Sequence, residues 1–122
     1  MQLQYLLFDF SADGSGSGSF DAMASVLPDR RVALLAEVAS VLRWSWNAFG
    51  PPGSGEGEGD WHFDLHAGTE TGLPLHVAYE PGGGAVRLGD PRGGSARITL
   101  TFALAGSRAF CEAFSQAFEV GE

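Results

Sequence analysis

Apolar and polar residues alternate along several short stretches of the chain, which is the spacing of a half-buried β-strand. ARITLTFAL (96–104) alternates throughout, and DWHFDLHA (60–67) and PLHVAYE (74–80) do so over shorter lengths. FDAMASV (20–26) follows the same period, and AVRLG (85–89) forms a further short strand between two turns. Gly-rich turns separate these stretches, so we predict strands joined mainly as antiparallel hairpins.

The first apolar stretch, QLQYLLFDFS (2–11), differs because apolar side chains occupy positions of both parities. A strand that is apolar on both faces is normally central in a sheet or covered on both sides. ADGSGSGS (12–19) has the composition of a hairpin loop. We therefore predict that this first strand pairs with the strand at 20–26.

A helical period replaces the alternation from Pro28 onward and predicts a long helix over PDRRVALLAEVASVLRWSW (28–46). The Gly-rich segment 49–59 ends it. At about 100° per residue, one apolar face is predicted to meet the core. Its residues are Val32, Leu35, Ala39, Leu42, Trp46 and Phe49. We therefore predict Trp46 in the core and Trp44, on the opposite face, substantially more exposed.

A second helix is predicted over SRAFCEAFSQAFE (107–119), with Ser107 as N-cap and three Phe residues on one face. The element order is then β-β-α-β-β-β-β-α. We predict a single α+β domain over 1–122, with a mainly antiparallel sheet of about six strands and two amphipathic helices packed on one face.

The charge of the chain narrows the classes of partner. Fifteen acidic residues stand against seven Arg and no Lys, a net charge of −8. Such a chain repels nucleic-acid backbones and anionic membranes, so we expect neither as a ligand. A basic protein partner is the kind of macromolecule that this charge attracts, although solubility alone also explains it.

Other sequence features bear on the compartment. Cys111 is the only cysteine, so no internal disulfide can form. MQLQYLLFDF lacks the basic region and cleavage site of a signal peptide, and no apolar run approaches the roughly 20 residues of a membrane span. We therefore expect a cytoplasmic protein.

All three histidines lie on the polar sides of two predicted strands, which raises the question of a metal site. If 60–67 and 74–80 form a hairpin, one register sets His66 against His76, with Asp64 beside His66. Imidazoles opposite one another across strands can chelate zinc or copper. His62 lies roughly 13 Å from His66, too far for the same ion without help. The favoured alternative is the solvent side of a half-covered sheet, and a pH-sensitive contact is a third.

A possible partner-binding surface lies on the long helix. Trp44 and Glu37 share its polar stripe, and Leu34 and Val41 lie on the adjoining apolar flank. Tryptophan is enriched at interface hot spots, and a large exposed apolar patch usually indicates a partner. The alternative is that another strand or loop covers this flank.

No motif in the chain carries a catalytic mechanism. GSGSGS (14–19) lacks the lysine and following helix of a phosphate loop, and Cys111 lies by a Phe-rich helix face rather than in an electropositive cleft. The sequence therefore favours a non-catalytic acidic interaction module that binds a basic protein partner, as an inhibitor, immunity-type protein or chaperone does. The alternative is a zinc-binding protein or metalloenzyme using the histidine-bearing strand face. A homodimer, formed through the long helix or an open sheet edge, is compatible with either.

Overall fold

The computed structural model describes residues 4–12, 17–50, 52, 61–80, 82–89 and 97–118. The elements in chain order are β1 (Asp9–Ala12), β2 (Gly18–Val26), a 3-10 turn (Pro28–Arg30), α1 (Arg31–Phe49), β3 (Trp61–Thr69), β4 (Pro74–Glu80), β5 (Ala85–Gly89), β6 (Ile98–Gly106) and α2 (Arg108–Ala117). The predicted α+β class, the six strands and their order with the two helices are confirmed.

The strands form one antiparallel sheet in the order β1-β2-β6-β3-β4-β5. β6 is central and pairs along its whole length with both β2 and β3. Phe102, for example, lies opposite Ala22 on one side and opposite Leu65 on the other. Because registered neighbours point the same way, each face of the sheet is continuous across these strands.

One face of the sheet, the covered face, meets both helices through aromatic side chains. The ring of Phe114 in α2 lies 4.4 Å from that of Phe20 in β2. Trp46 in α1 lies 5.5 Å from Trp61 in β3 and 5.1 Å from Tyr79 in β4. The largest fully buried side chains belong to this layer: Trp61, Phe20, Phe102, Phe110, Phe114, Leu34, Leu42, Ile98, Leu100, Leu104, Val38 and Val41. Rings of both helices therefore contact side chains of the covered face.

The end of α1 is tied to the start of β3. Gly50 has a φ of 80°, a conformation that favours glycine, and its N–H donates to the Trp46 carbonyl. The Gly50 carbonyl accepts a 2.9 Å hydrogen bond from Nε1 of Trp61. Trp61 is buried while its only polar atom is satisfied. The predicted cap of α2 is also present, since Ser107 Oγ accepts from the Phe110 N–H. No helix in the described ranges has the length and apolar character to cross a membrane.

The predicted pairing of the first strand with the strand at 20–26 is confirmed, whereas the expectation that the first strand is central or covered on both sides is wrong. β1 has four residues, all of them exposed, and it is the outermost strand on its side of the sheet among the described residues. The apolar residues before it leave the sheet, and Leu6 and Phe8 are buried in the core cluster. The backbone of residues 4–6 is bound to α1. The Glu37 carboxylate accepts hydrogen bonds from the N–H groups of Gln4, Tyr5 and Leu6 at 2.6, 2.9 and 2.6 Å. The segment is apolar at both parities because it passes from the sheet into the helical layer.

The buried arc of α1 is centred about a quarter of a turn from the predicted core face. Ala39 and Leu42 of that face are buried, and Leu35, Trp46 and Phe49 pack against the core cluster. The arc centres on the expected flank, and Val32, expected in the core, is 81% exposed. The buried residues of α1 are Arg31, Leu34, Val38, Ala39, Val41, Leu42 and Ser45. Apolar residues occupy more than half of the helix circumference, so periodicity alone did not select the arc that meets the sheet.

Candidate functional site: the open face of the sheet

The face of the sheet opposite the helices, the open face, is built from the alternate residues of the same strands. In the three central strands its members are Ser19, Asp21, Met23 and Ser25 of β2, Thr99, Thr101, Ala103 and Ala105 of β6, and His62, Asp64, His66 and Gly68 of β3. Met23 is 66% exposed, and Asp21, Asp64 and Thr101 are exposed as well. On β6, the position between Asp21 and Asp64 is Ala103, whose small side chain leaves space between the two carboxylates.

Three carboxylates lie in a row across the open face. Asp9 of β1 is directly opposite Asp21 of β2, and Asp21 is directly opposite Ala103 of β6. Ala103 is in turn opposite Asp64 of β3. With roughly 5 Å between neighbouring strands, the Cα atoms of Asp21 and Asp64 are about 10 Å apart. We call Asp9, Asp21 and Asp64 the acidic row.

No positively charged group or hydrogen-bond donor in the described part of the chain neutralises the charges of the acidic row. None of its carboxylates has a hydrogen bond or an ion pair with another described residue. Like charges directly opposite one another on adjacent strands destabilise a sheet, and Asp9 faces Asp21 in this way. Packing does not require this arrangement, because both side chains are exposed.

Arg87 of β5 is a cation on the same side of the sheet, but its guanidinium forms an ion pair with Glu80 rather than with the acidic row. Its Nε lies 2.7 Å from the Glu80 carboxylate, at the start of the tight turn between β4 and β5. The hydrogen bond to Glu80 and its charge raise the pKa of the Arg87 guanidinium above its usual value. On the covered side of β4, partial burial raises the pKa of the Tyr79 phenol, and the charge of Arg43 opposes that shift.

The histidines lie where the alternation predicted, on the open face, with His66 and His76 exposed. β3 and β4 pair with Ala67 opposite Leu75 and Gly68 opposite Pro74. The pairing between the two strands is described for these two pairs only, so the alignment of His66 with His76 stays a prediction. No three or more His, Cys, Asp or Glu side chains among the described residues are close enough to hold a metal ion. The structure therefore does not assemble His62, Asp64, His66 and His76 into one site.

The surface predicted on α1 does not exist in the expected form. Leu34 and Val41 are fully buried, so the exposed flank is wrong: another part of the chain covers it. Glu37 holds the backbone of residues 4–6. Trp44 is half-buried between the helices, with its ring 5.4 Å from that of Phe118 and 5.8 Å from that of Phe114. These side chains serve the core, and a partner-binding role for any of them stays a prediction.

Sequence reasoning did not connect the members of the acidic row. Asp21 occupies a polar position of an alternating strand, which indicates that its side chain is exposed. The local sequence relates Asp64 only to the histidines on either side of it. The row exists because β6 separates β2 from β3 by one strand, and that adjacency has no local signature in the sequence.

No protein-family model, curated protein or solved structure matches this chain.

Proposed function

We propose that this chain is a non-catalytic binding module that docks a basic protein partner on the open face of its sheet. The observation that supports this function is the acidic row: three exposed carboxylates, unpaired among the described residues, with the small side chain of Ala103 between two of them. The net charge of −8 would steer a basic partner toward the chain.

The acidic row suits Arg or Lys side chains for two reasons. The spacing of about 10 Å between Asp21 and Asp64 leaves room for a guanidinium over Ala103, within reach of a carboxylate on either side. A cation beside Asp9 and Asp21 would also relieve their mutual repulsion, so part of the binding free energy would come from a strain already present in the free protein. An inhibitor, immunity-type or chaperone-like role in the cytoplasm fits such a surface.

An arginine-rich peptide of about 20 residues, long enough to cross a domain of this size, is a probe for the open face. We expect its addition to shift the backbone NMR signals of Asp21, Asp64 and Ala103. The double variant Asp21→Asn/Asp64→Asn should weaken its binding by about tenfold or more, because each charge-assisted contact contributes on the order of 1 kcal/mol.

The matched control is Asp29→Asn/Glu112→Gln, which removes the same charge from exposed positions in the 3-10 turn and α2. It should retain most of the affinity. Equal weakening by both double variants would mean that net charge alone attracts the peptide and that the open face is not a binding site.

The zinc-binding alternative has one observation in its favour, the β3–β4 register that leads toward a His66–His76 pair. Two imidazoles without a third ligand bind zinc weakly. A zinc titration followed through the imidazole NMR signals separates the two functions. We expect no saturable shift at micromolar zinc, whereas a joint shift of His66 and His76 would make metal binding the better assignment.

A further inference from the structure

The side of α1 next to β5 carries an apolar stripe, in which Ala39 is buried, Leu35 is half-buried, and Val32 and Ala36 are exposed. Val32, Leu35, Ala36 and Ala39 follow the spacing i, i+3, i+4, i+7, which is typical of a helix that packs on another element. Val32 is 81% exposed. The stripe forms one wall of a groove of about 240 Å³, and Ala85 and Val86 of β5 form the other.

The groove opens over an edge of the sheet. β5 is the last strand among the described residues, so its backbone groups on the side away from β4 have no strand partner there. None of the residues that line the groove belongs to β4. An added strand beside β5 would therefore lie beneath the apolar stripe, and its inward side chains would fill the groove.

We propose that this surface binds a second copy of the chain, with the two β5 strands pairing antiparallel about a two-fold axis. Such an axis places the β5 edge of one copy beside the β5 edge of the other, and the two apolar stripes beside each other. The same surface of each copy therefore forms both halves of the contact. β5 has the required pattern, because half-buried Val86 and Leu88 alternate with exposed Ala85, Arg87 and Gly89. The small side chain of exposed Ala36 allows the two α1 helices to approach closely.

The charge distribution favours a second copy at this surface over any other. Two chains of net charge −8 repel one another through their acidic surfaces. The stripe and β5 contain no acidic residue, and the Arg87 charge is compensated by Glu80. The side chain of Arg43 lies close to Gly84, because a Cβ added to Gly84 would be 2.8 Å from Cδ of Arg43. A positive charge is therefore present near the turn before β5. This surface is therefore one where two copies of an acidic protein can meet with the nearby Glu80 carboxylate already paired to Arg87.

Sedimentation equilibrium of the full chain tests the proposal. We expect a monomer–dimer equilibrium for the wild type, and a dimer dissociation constant raised at least about tenfold by Val32→Glu or Ala36→Glu, since each buries a carboxylate at the contact. Leu7→Glu is the matched control, because Leu7 is 83% exposed and lies outside the groove. It should dimerise like the wild type.

Hydrogen exchange identifies the strand. The β5 amides that point away from β4 should become protected as wild-type concentration rises, and should stay unprotected in Val32→Glu. A wild-type chain that remains monomeric at millimolar concentration would overturn the proposal. So would a Val32→Glu variant that dimerises as tightly as Leu7→Glu. Neither result bears on the proposed function, because the open face lies on the other side of the sheet from the stripe.

Discussion

The covered face and the open face are built by the same strands, but different constraints determine their residues. On the covered face, Phe20, Trp61 and Phe102 are buried against the helices, and their size and shape follow from packing. On the open face, neighbouring positions hold Asp21, His62 and Thr101, none of which the core requires. The composition of the open face is therefore informative about function, whereas that of the covered face is informative about stability.

Paired substitutions of adjacent residues in β6 test this difference most strongly. Phe102 is fully buried, with its ring 5.8 Å from that of Phe8, and Thr101 points to the open face. Phe102→Ala should lower the free energy of unfolding by about 3–5 kcal/mol, through lost apolar contact and a cavity. Thr101→Ala should change it by less than about 0.5 kcal/mol. Urea denaturation measures both, and comparable losses would contradict the assignment of the two faces.

A smaller loss of unfolding free energy is expected in the segment before β1, whose backbone is bound to α1. Glu37→Gln removes a charged acceptor from the N–H groups of Gln4, Tyr5 and Leu6, and should cost about 1–3 kcal/mol of unfolding free energy. Amide exchange at residues 4–6 should accelerate. Glu112→Gln in α2 is the control, since Glu112 is exposed. Unchanged exchange in Glu37→Gln would mean that Leu6 and Phe8 hold the segment without help from the carboxylate.

The smallest expected effect has the opposite sign and belongs to the open face. Asp21→Asn removes the repulsion from Asp9 directly opposite and should raise stability by about 0.2–1 kcal/mol at low salt. The gain should shrink as salt screens exposed charges. Asp64→Asn is the control, because Ala103 rather than an acid is opposite it. Chemical denaturation at two salt concentrations measures the difference, and a loss of stability in Asp21→Asn would show that this carboxylate makes a favourable contact.

The strands were predictable from the sequence because the alternation of apolar and polar residues reflects burial. In β6 the alternation of burial runs from Ile98 to Ala105, and in β3 it runs from Phe63 to Ala67. The orientation of α1 could not be predicted in the same way. The arc that contains Leu34 and Val41 and the arc that contains Val32 and Leu35 are equally apolar. Tertiary packing buried Leu34 and Val41 completely, left Leu35 half-buried and left Val32 exposed at the margin of the apolar surface.

The candidate site was less predictable than the fold. Exposure of Asp21 and Asp64 followed from the alternation, but their alignment depends on β6 lying between β2 and β3 and on its register with both. Those pairings join residues far apart in the sequence. Trp44 illustrates the same limit, because its partners Phe110, Phe114 and Phe118 belong to a helix that local periodicity could not place beside it.

The central position of β6 has a consequence for how the sheet assembles. β6 alone connects β1–β2 to β3–β4–β5, and its partner β2 lies more than half the chain earlier. Closing that loop carries an entropic cost before any pairing offsets it, so folding should be slow for a domain of this size. During synthesis, a nascent chain without β6 holds two groups of strands with open inner edges. Such edges pair readily with other chains, so aggregation is the characteristic hazard of this topology until residues 98–106 are available.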